Sequence, residues 1–195
     1  MASGLRKWKE IYLKKAKKLV DDKSALRKVV LGARAWLEKQ IDLSIADGFT
    51  TFITGCARGA DLWAGAIVLR KRQSCPGLRL VAASPWPDCC RAWPEAWKAE
   101  YLRVIRQADH VEYMGQRYFR GVYHIRNQWM VQCSGRVIGL FTGAPGGTKM
   151  TVGYARRLRR ELVLYPDPAE SNSLLFLEKE SCMINRQSGG KAVIG

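Results

Sequence analysis

Histidine is nearly missing from this chain, acidic residues are outnumbered about two to one, and no apolar run approaches the roughly 18 residues that a membrane helix needs. The two histidines and six cysteines, at positions 56, 75, 89, 90, 133 and 182, contain no C-x-x-C pair, so no metal site is expected. Adjacent Cys89 and Cys90 admit a redox reading, but scattered thiols fit reduced, partly buried side chains of a cytosolic protein better. Met-Ala-Ser-Gly followed by a lysine-rich segment lacks the apolar core of a secretory signal. The expectation is a cytoplasmic protein that makes no use of a membrane.

The shortage of acid is as informative. Thirty-three Lys and Arg against 17 Asp and Glu give a formal charge of +16. Such a surface attracts polyanions, which admits nucleic acid and anionic nucleotides as partners without choosing between them. What the chain does have is apolar content: 47% of 195 residues, with seven tryptophans, is enough for one sizeable domain and too little for two.

The most structured stretch is Thr51-Phe52-Ile53-Thr54-Gly55-Cys56-Ala57-Arg58-Gly59-Ala60-Asp61, a short apolar run that breaks at glycine and reopens as a helix carrying Leu62, Ala66 and Leu69. A helix that starts behind a glycine turn leaves unpaired N–H groups and a positive dipole end facing the turn, where anions bind. Gly55 and Gly59 let the backbone approach a ligand, and Arg58 supplies a planar fork of donors suited to phosphate. The competing reading is an ordinary strand-to-helix turn with a solvated arginine.

Residues Leu5 to Val20 form an amphipathic helix with a basic face, read as a solvated docking helix ahead of a nucleic-acid or membrane contact. Asp21, Asp22 or Ser24 caps a second helix that runs to about Ala46 with Val30, Ala33, Leu37, Ile41 and Ile45 on one face. Further strands are expected over Leu78–Ala83, Asp109–Met114, Arg136–Phe141 and Leu162–Tyr165. Helices are expected over Ala60–Lys71, from Pro94 to Gln107, over Ile125–Cys133 and over Thr151–Arg160. The stretch from Thr142 to Thr148 is a second glycine-rich turn. Alternation of this kind means an α/β fold, a Rossmann-like three-layer sandwich with a mostly parallel sheet and right-handed crossovers. Ligands then sit beyond the carboxyl ends of the strands, and both glycine turns share that edge. The chain divides into a basic helical segment, 1–28, a Rossmann-like domain, 29–168, and a tail, 169–195, which holds the apolar patch Leu174–Leu177 and ends in small residues that suggest disorder.

Four motifs in order carry a family resemblance. They are Thr54-Gly55-Cys56-Ala57-Arg58-Gly59-Ala60-Asp61-Leu62-Trp63-Ala64; Trp93-Pro94-Glu95 with Tyr101 and Ala108-Asp109-His110-Val111; Arg126-Asn127-Gln128-Trp129-Met130-Val131; and Gly146-Gly147-Thr148-Lys149-Met150-Thr151-Val152-Gly153-Tyr154-Ala155. From about Val30 to Pro166 the chain resembles the YpsA and YoqJ-like branch of the SLOG superfamily, which also holds DprA and the LOG phosphoribohydrolases. The resemblance implies a Rossmann-like fold that binds nucleotides or their derivatives. It puts Thr54, Gly55, Cys56, Arg58, Gly59 and Asp61 on one wall, Arg126 and Asn127 near the floor, and Pro145, Gly146, Gly147, Thr148 and Thr151 at the phosphate. Trp86 and Tyr118 are added as platforms for a base, and each is equally read as a core aromatic.

Two departures qualify it. The family's opening strand with its T-G-H-R turn has no match in residues 1–28, and the glutamate of the LOG pattern P-G-G-x-G-T-x-x-E is missing, since no acid follows Pro145-Gly146-Gly147 before Glu161. The leading expectation is therefore a binding module without a catalytic residue and without a cofactor. Its ligand would be an ADP-ribose-like or cyclic nucleotide signal, sensed or sequestered, and the phage setting of YoqJ-like proteins suggests the latter by analogy. The alternatives are a DprA-like binder of single-stranded nucleic acid, using the N-terminal lysines and Arg156, Arg157, Arg159 and Arg160, and a LOG-type N-glycosidase using Asp61 or Glu112. A homodimer or higher homo-oligomer is the expected assembly.

Overall fold

The structure is a computed structural model that describes residues 23–141 and 145–165, with side chains from residue 27 onward. The expected helix over Leu5–Val20, the patch at Leu174–Leu177 and the tail lie outside these residues. Ten elements follow one another: α1 (Lys23–Ala46), β1 (Thr51–Thr54), α2 (Ala60–Lys71), β2 (Arg79–Ser84), α3 (Glu95–Gln107), β3 (His110–Tyr113), α4 (Val122–Gln132), β4 (Arg136–Leu140), α5 (Gly147–Arg157) and β5 (Glu161–Tyr165).

Every described strand pair is parallel. β1 pairs with β2, β2 with β3, and β4 with β5. Thr54 lies opposite Ala82, and β2 continues two residues further to set Ser84 beside Tyr113. Alternate side chains of β1, β2, β4 and β5 enter two different cores, as a sheet covered on both faces requires. Phe52, Leu80, Ala82 and Ile138 pack with Leu37 and Ile41 of α1, Leu62 and Val68 of α2, and Tyr101 and Val104 of α3. Ile53, Ala83 and Val137 pack on the other face with Met130 and Val131 of α4 and Ala155 of α5. β1 and β4 thus feed both cores, and the layers are α1, α2 and α3, then strands, then α4 and α5.

Local chemistry accounts for the boundaries. Pro94 precedes α3 and accepts backbone bonds from Trp97 and Lys98. The helix expected from Thr151 begins four residues earlier, at Gly147, and the one expected from Ile125 begins at Val122 behind Gly121. Ser24 falls inside α1 and is not its cap. At the amino ends of the strands, Arg136 reaches Asp47 at 2.7 Å, Glu161 at 2.9 Å and Ser44 at 3.1 Å, while its guanidinium lies 4.7 Å from the ring centre of Phe49. This clamp ties the end of α1 to β4 and β5.

Candidate functional site

The two glycine turns follow β1 and β4, so both leave the carboxyl edge of the parallel strands. They differ in how far each satisfies itself.

In the first turn, Thr54 donates from Oγ1 to the Asp61 carbonyl at 2.7 Å and accepts the Cys56 N–H at 3.3 Å. The Asp61 carboxylate accepts the Ala57 N–H at 3.0 Å. Thr54 and Asp61 are each 1% exposed. Cys56 sits at φ +56°, an unusual conformation for a residue with a Cβ, and its thiol is turned back toward the Thr54 carbonyl at 3.6 Å. Burial, reinforced by the charge of Asp61, pushes that thiol far above its ordinary range, so it stays neutral. The anion at the start of α2 is therefore the protein's own carboxylate, which already complements the helix dipole. Arg58 places its guanidinium 5.5 Å from the ring centre of Trp93, against the α3 side. The first turn thus holds the Thr54 hydroxyl and Asp61 Oδ2 in hydrogen bonds to its own backbone, with Gly59 at its rim and its wall built by Gly55.

Gly55 is needed for close approach. A Cβ there would lie 2.6 Å from Asp61 Oδ2, 3.1 Å from Met130 Sδ and 3.3 Å from Arg126 Cζ. Arg126, 1% exposed on α4, uses the space: it donates to the Gly55 carbonyl at 2.8 Å and through Nε and a second terminal nitrogen to Asn127 Oδ1 at 3.1 and 2.9 Å. Because Oδ1 receives both bonds, the Asn127 amide nitrogen is turned toward the second turn, where it would lie 3.8 Å from a Cβ on Gly147. Consecutive residues of α4 thereby connect both turns.

Of the second turn the structure describes residues 145–148. Pro145, Gly146 and Gly147 are exposed, and Gly146 takes φ +150°. The first backbone bond of α5 runs from Met150 N–H to the Gly146 carbonyl at 3.2 Å, so the N–H groups of Gly147, Thr148 and Lys149 precede it with no intrahelical partner. No acidic residue stands in that first turn. Thr151 donates to the Gly147 carbonyl at 2.9 Å, whereas Thr148 Oγ1, on a residue 2% exposed, has no hydrogen-bond partner among the described residues. A buried hydroxyl without a partner costs about 1–3 kcal/mol.

Trp86, half-buried after β2, meets Tyr118 edge-on at 5.5 Å between ring centres, and Tyr118 is 62% exposed. Tyr123 also packs on Trp86, at 5.8 Å, and the Arg126 guanidinium lies 5.6 Å from the Tyr123 ring. Tyr123 was not among the sequence candidates, although its spacing three residues before Arg126 on one helix would have shown it. All fifteen sequence candidates are thus placed. Arg126 links the first turn, Asn127 and, through Tyr123, the aromatic group, and the Arg58 guanidinium lies over Trp93. Among the described residues no group of His, Cys, Asp and Glu could hold a metal ion, and no helix is long and apolar enough to cross a membrane.

Comparison with known proteins converges on one family. A family model described as the YspA SLOG family matches residues 19–161. A UPF0398 protein of Halalkalibacterium halodurans is 26% identical over 127 residues, covering 64% of this chain and 67% of the relative. UPF0398 proteins of Bacillus thuringiensis strain Al Hakam and Bacillus cereus strain AH187 are each 24% identical over 124 residues, or 62% of this chain and 67% of theirs.

Proposed function

The chain belongs to the YspA SLOG family, and we propose that it binds a nucleotide-derived anion without transforming it, seating phosphate at the start of α5 and the base against Trp86 and Tyr118. The observation that carries this reading is Thr148: a buried hydroxyl with no partner among the described residues, next to two exposed glycines, at a helix start whose first N–H groups have no intrahelical partner and which holds no acid. The contrast with α2 supports it, because there Asp61 fills the equivalent position.

Binding is favoured over hydrolysis by where the carboxylates are. Glu161 is committed to Arg136 at the amino end of β5, the opposite edge of the strands. Asp61 is held inside the first turn, and Glu112 lies 3.1 Å from His110 on β3. Neither has the geometry of a general acid poised over the second turn. The ligand class that suits a phosphate seat plus an aromatic platform is an ADP-ribose-like or cyclic nucleotide signal, which this chain would sense or sequester. Nucleic acid is the weaker reading: Arg160 is spent on the carbonyls of Val131 and Gln132, and Arg157 lies over Tyr154.

Mass spectrometry of small molecules released from the purified protein tests the proposal. A copurifying nucleotide derivative, lost when Thr148 is replaced, is the expected result; a protein that carries none and is not stabilised by any added nucleotide would defeat it.

A further inference from the structure

We propose that a second recognition site, separate from the nucleotide edge, lies in the helical layer on the other face: a groove for an acidic peptide segment of a partner protein. A cleft of about 470 Å³ opens among α1, α2 and α3. It is lined toward the ends of α2 and α3 by Leu69, Arg70, Arg103 and Gln107, with Arg34 contributed by α1. Helices of parallel crossovers run against the strands, so these ends lie toward the amino edge, away from both glycine turns.

The groove has the anatomy of a protein contact, an apolar floor inside a polar rim. Ala66 and the buried Leu69 make the floor. The rim holds three guanidiniums, two carboxamides from Gln73 and Gln107, and a single carboxylate, Glu100. Arg34 and Arg70 are exposed and Arg103 is half-buried, and each is held. Arg34 lies 5.6 Å from the ring centre of Trp63, Arg70 reaches Glu38 at 2.7 Å, and Arg103 grips Glu100 at 2.6 and 3.1 Å. Glu38 is also reached by Lys71 at 3.3 Å, and Lys71 pairs in turn with Asp42, so this end of the rim is a chain of ion pairs. Exposed ion pairs of this kind add little stability. What they do supply is orientation: a guanidinium already fixed in place gives up little entropy when its remaining N–H groups take a carboxylate.

The lining also selects the partner. It contains no aromatic ring on which a nucleobase would stack, and Glu100 would repel closely spaced phosphates. Carboxylates spaced along a peptide can reach the arginines and avoid Glu100, the carboxamides suit a peptide backbone, and the floor accepts a small aliphatic side chain.

The test uses the full chain and a fluorescein-labelled peptide of glutamate and leucine, read by fluorescence anisotropy at low salt. Because the whole protein is basic, the comparison is between two triple variants of equal charge, R34Q/R70Q/R103Q and R156Q/R157Q/R159Q. All six positions lie on the surface, and a second pair of changes, Q73E/Q107E, adds repulsion at the rim without removing any ion pair. We expect the groove triple and Q73E/Q107E each to weaken the peptide at least tenfold, and the α5 triple to change it less than twofold. Equal losses in both triples, or none in either, would overturn the site. If an oligothymidylate of matching charge lost as much affinity as the peptide in the groove triple, the acidic-peptide assignment would fall. Because the readout is peptide binding, failure here is distinguishable from failure of the nucleotide site.

Discussion

Replacing Thr148 with valine should make the unliganded protein more stable and its ligand weaker. Valine keeps the shape of threonine and exchanges the hydroxyl for a methyl. In most buried positions that exchange strands a partner, but Thr148 Oγ1 has none among the described residues, so nothing is stranded. Removing a buried, unsatisfied hydroxyl recovers part of a desolvation cost of about 1–3 kcal/mol. Thr and Val have similar helix propensity, so the first turn of α5 contributes little to the difference. We expect a gain of about 1–2 kcal/mol, in the lower half of that range because Gly146 and Gly147 above the hydroxyl are exposed. For a chain of this size that gain raises the thermal midpoint by roughly 2–8 °C. Differential scanning fluorimetry, without ligand and with saturating nucleotide, reads both effects: the midpoint rises in the first condition, and the ligand-induced increment shrinks in the second. A midpoint that falls by several degrees, or an increment equal to that of the unaltered protein, would refute the reasoning.

Other perturbations probe the supporting structure. Gly55→Ala forces a Cβ to 2.6 Å from Asp61 Oδ2 and 3.1 Å from Met130 Sδ, an overpacking expected to cost about 1–3 kcal/mol in chemical denaturation; an unchanged midpoint would mean that the turn is looser than described. Arg126→Met leaves the Gly55 carbonyl and Asn127 Oδ1 without their donor, and we expect a loss of about 1–3 kcal/mol by the same measurement; an unchanged midpoint would contradict its linking role. Burial raises the pKa values of Cys56, Cys90 and Tyr101 above their ordinary range. The folded state therefore holds these protons more tightly than the unfolded one, and stability is fully present below about pH 8.5 and declines above it, by up to about 1.4 kcal/mol per pH unit for each group; a stability rising through pH 9–10 would reverse the sign. Thiol labelling of the native protein should modify the exposed Cys75 and Cys133 quickly and Cys56 only on unfolding.

The sequence and the structure agree where periodicity is strong. Leu37 and Ile41, Phe52 and Leu80, and Tyr101 and Val104 were readable as core from their spacing, and they are buried to 1% exposure or less. Boundaries at glycine were less legible. Gly147 and Thr148 read as turn residues, yet they open α5, because a helix start tolerates glycine when its N–H groups have no intrahelical partner anyway. The larger difference concerns the first glycine turn. Its residue pattern matches an anion site, but pattern alone does not reveal that the Asp61 carboxylate folds back onto the Ala57 N–H. Likewise Arg58 has the chemistry of a phosphate ligand and is found over Trp93, a residue 35 positions away whose proximity no local spacing encodes. The link from Gly55 through Arg126 and Asn127 to Gly147 also depends on long-range packing of α4 between the turns.

The most direct test of the central claim is isothermal titration of the unaltered chain and of Lys149→Glu against ADP-ribose, NAD and cyclic nucleotides. Lys149 is exposed in the first turn of α5, so a glutamate there favours the helix dipole by about 0.3–1 kcal/mol and leaves the fold intact, while placing negative charge where phosphate should sit. The account predicts at least one ligand bound more tightly than about 1 mM by the unaltered chain and weakened at least tenfold by Lys149→Glu. Binding that is equally tight in both proteins, or no binding by either, would contradict it.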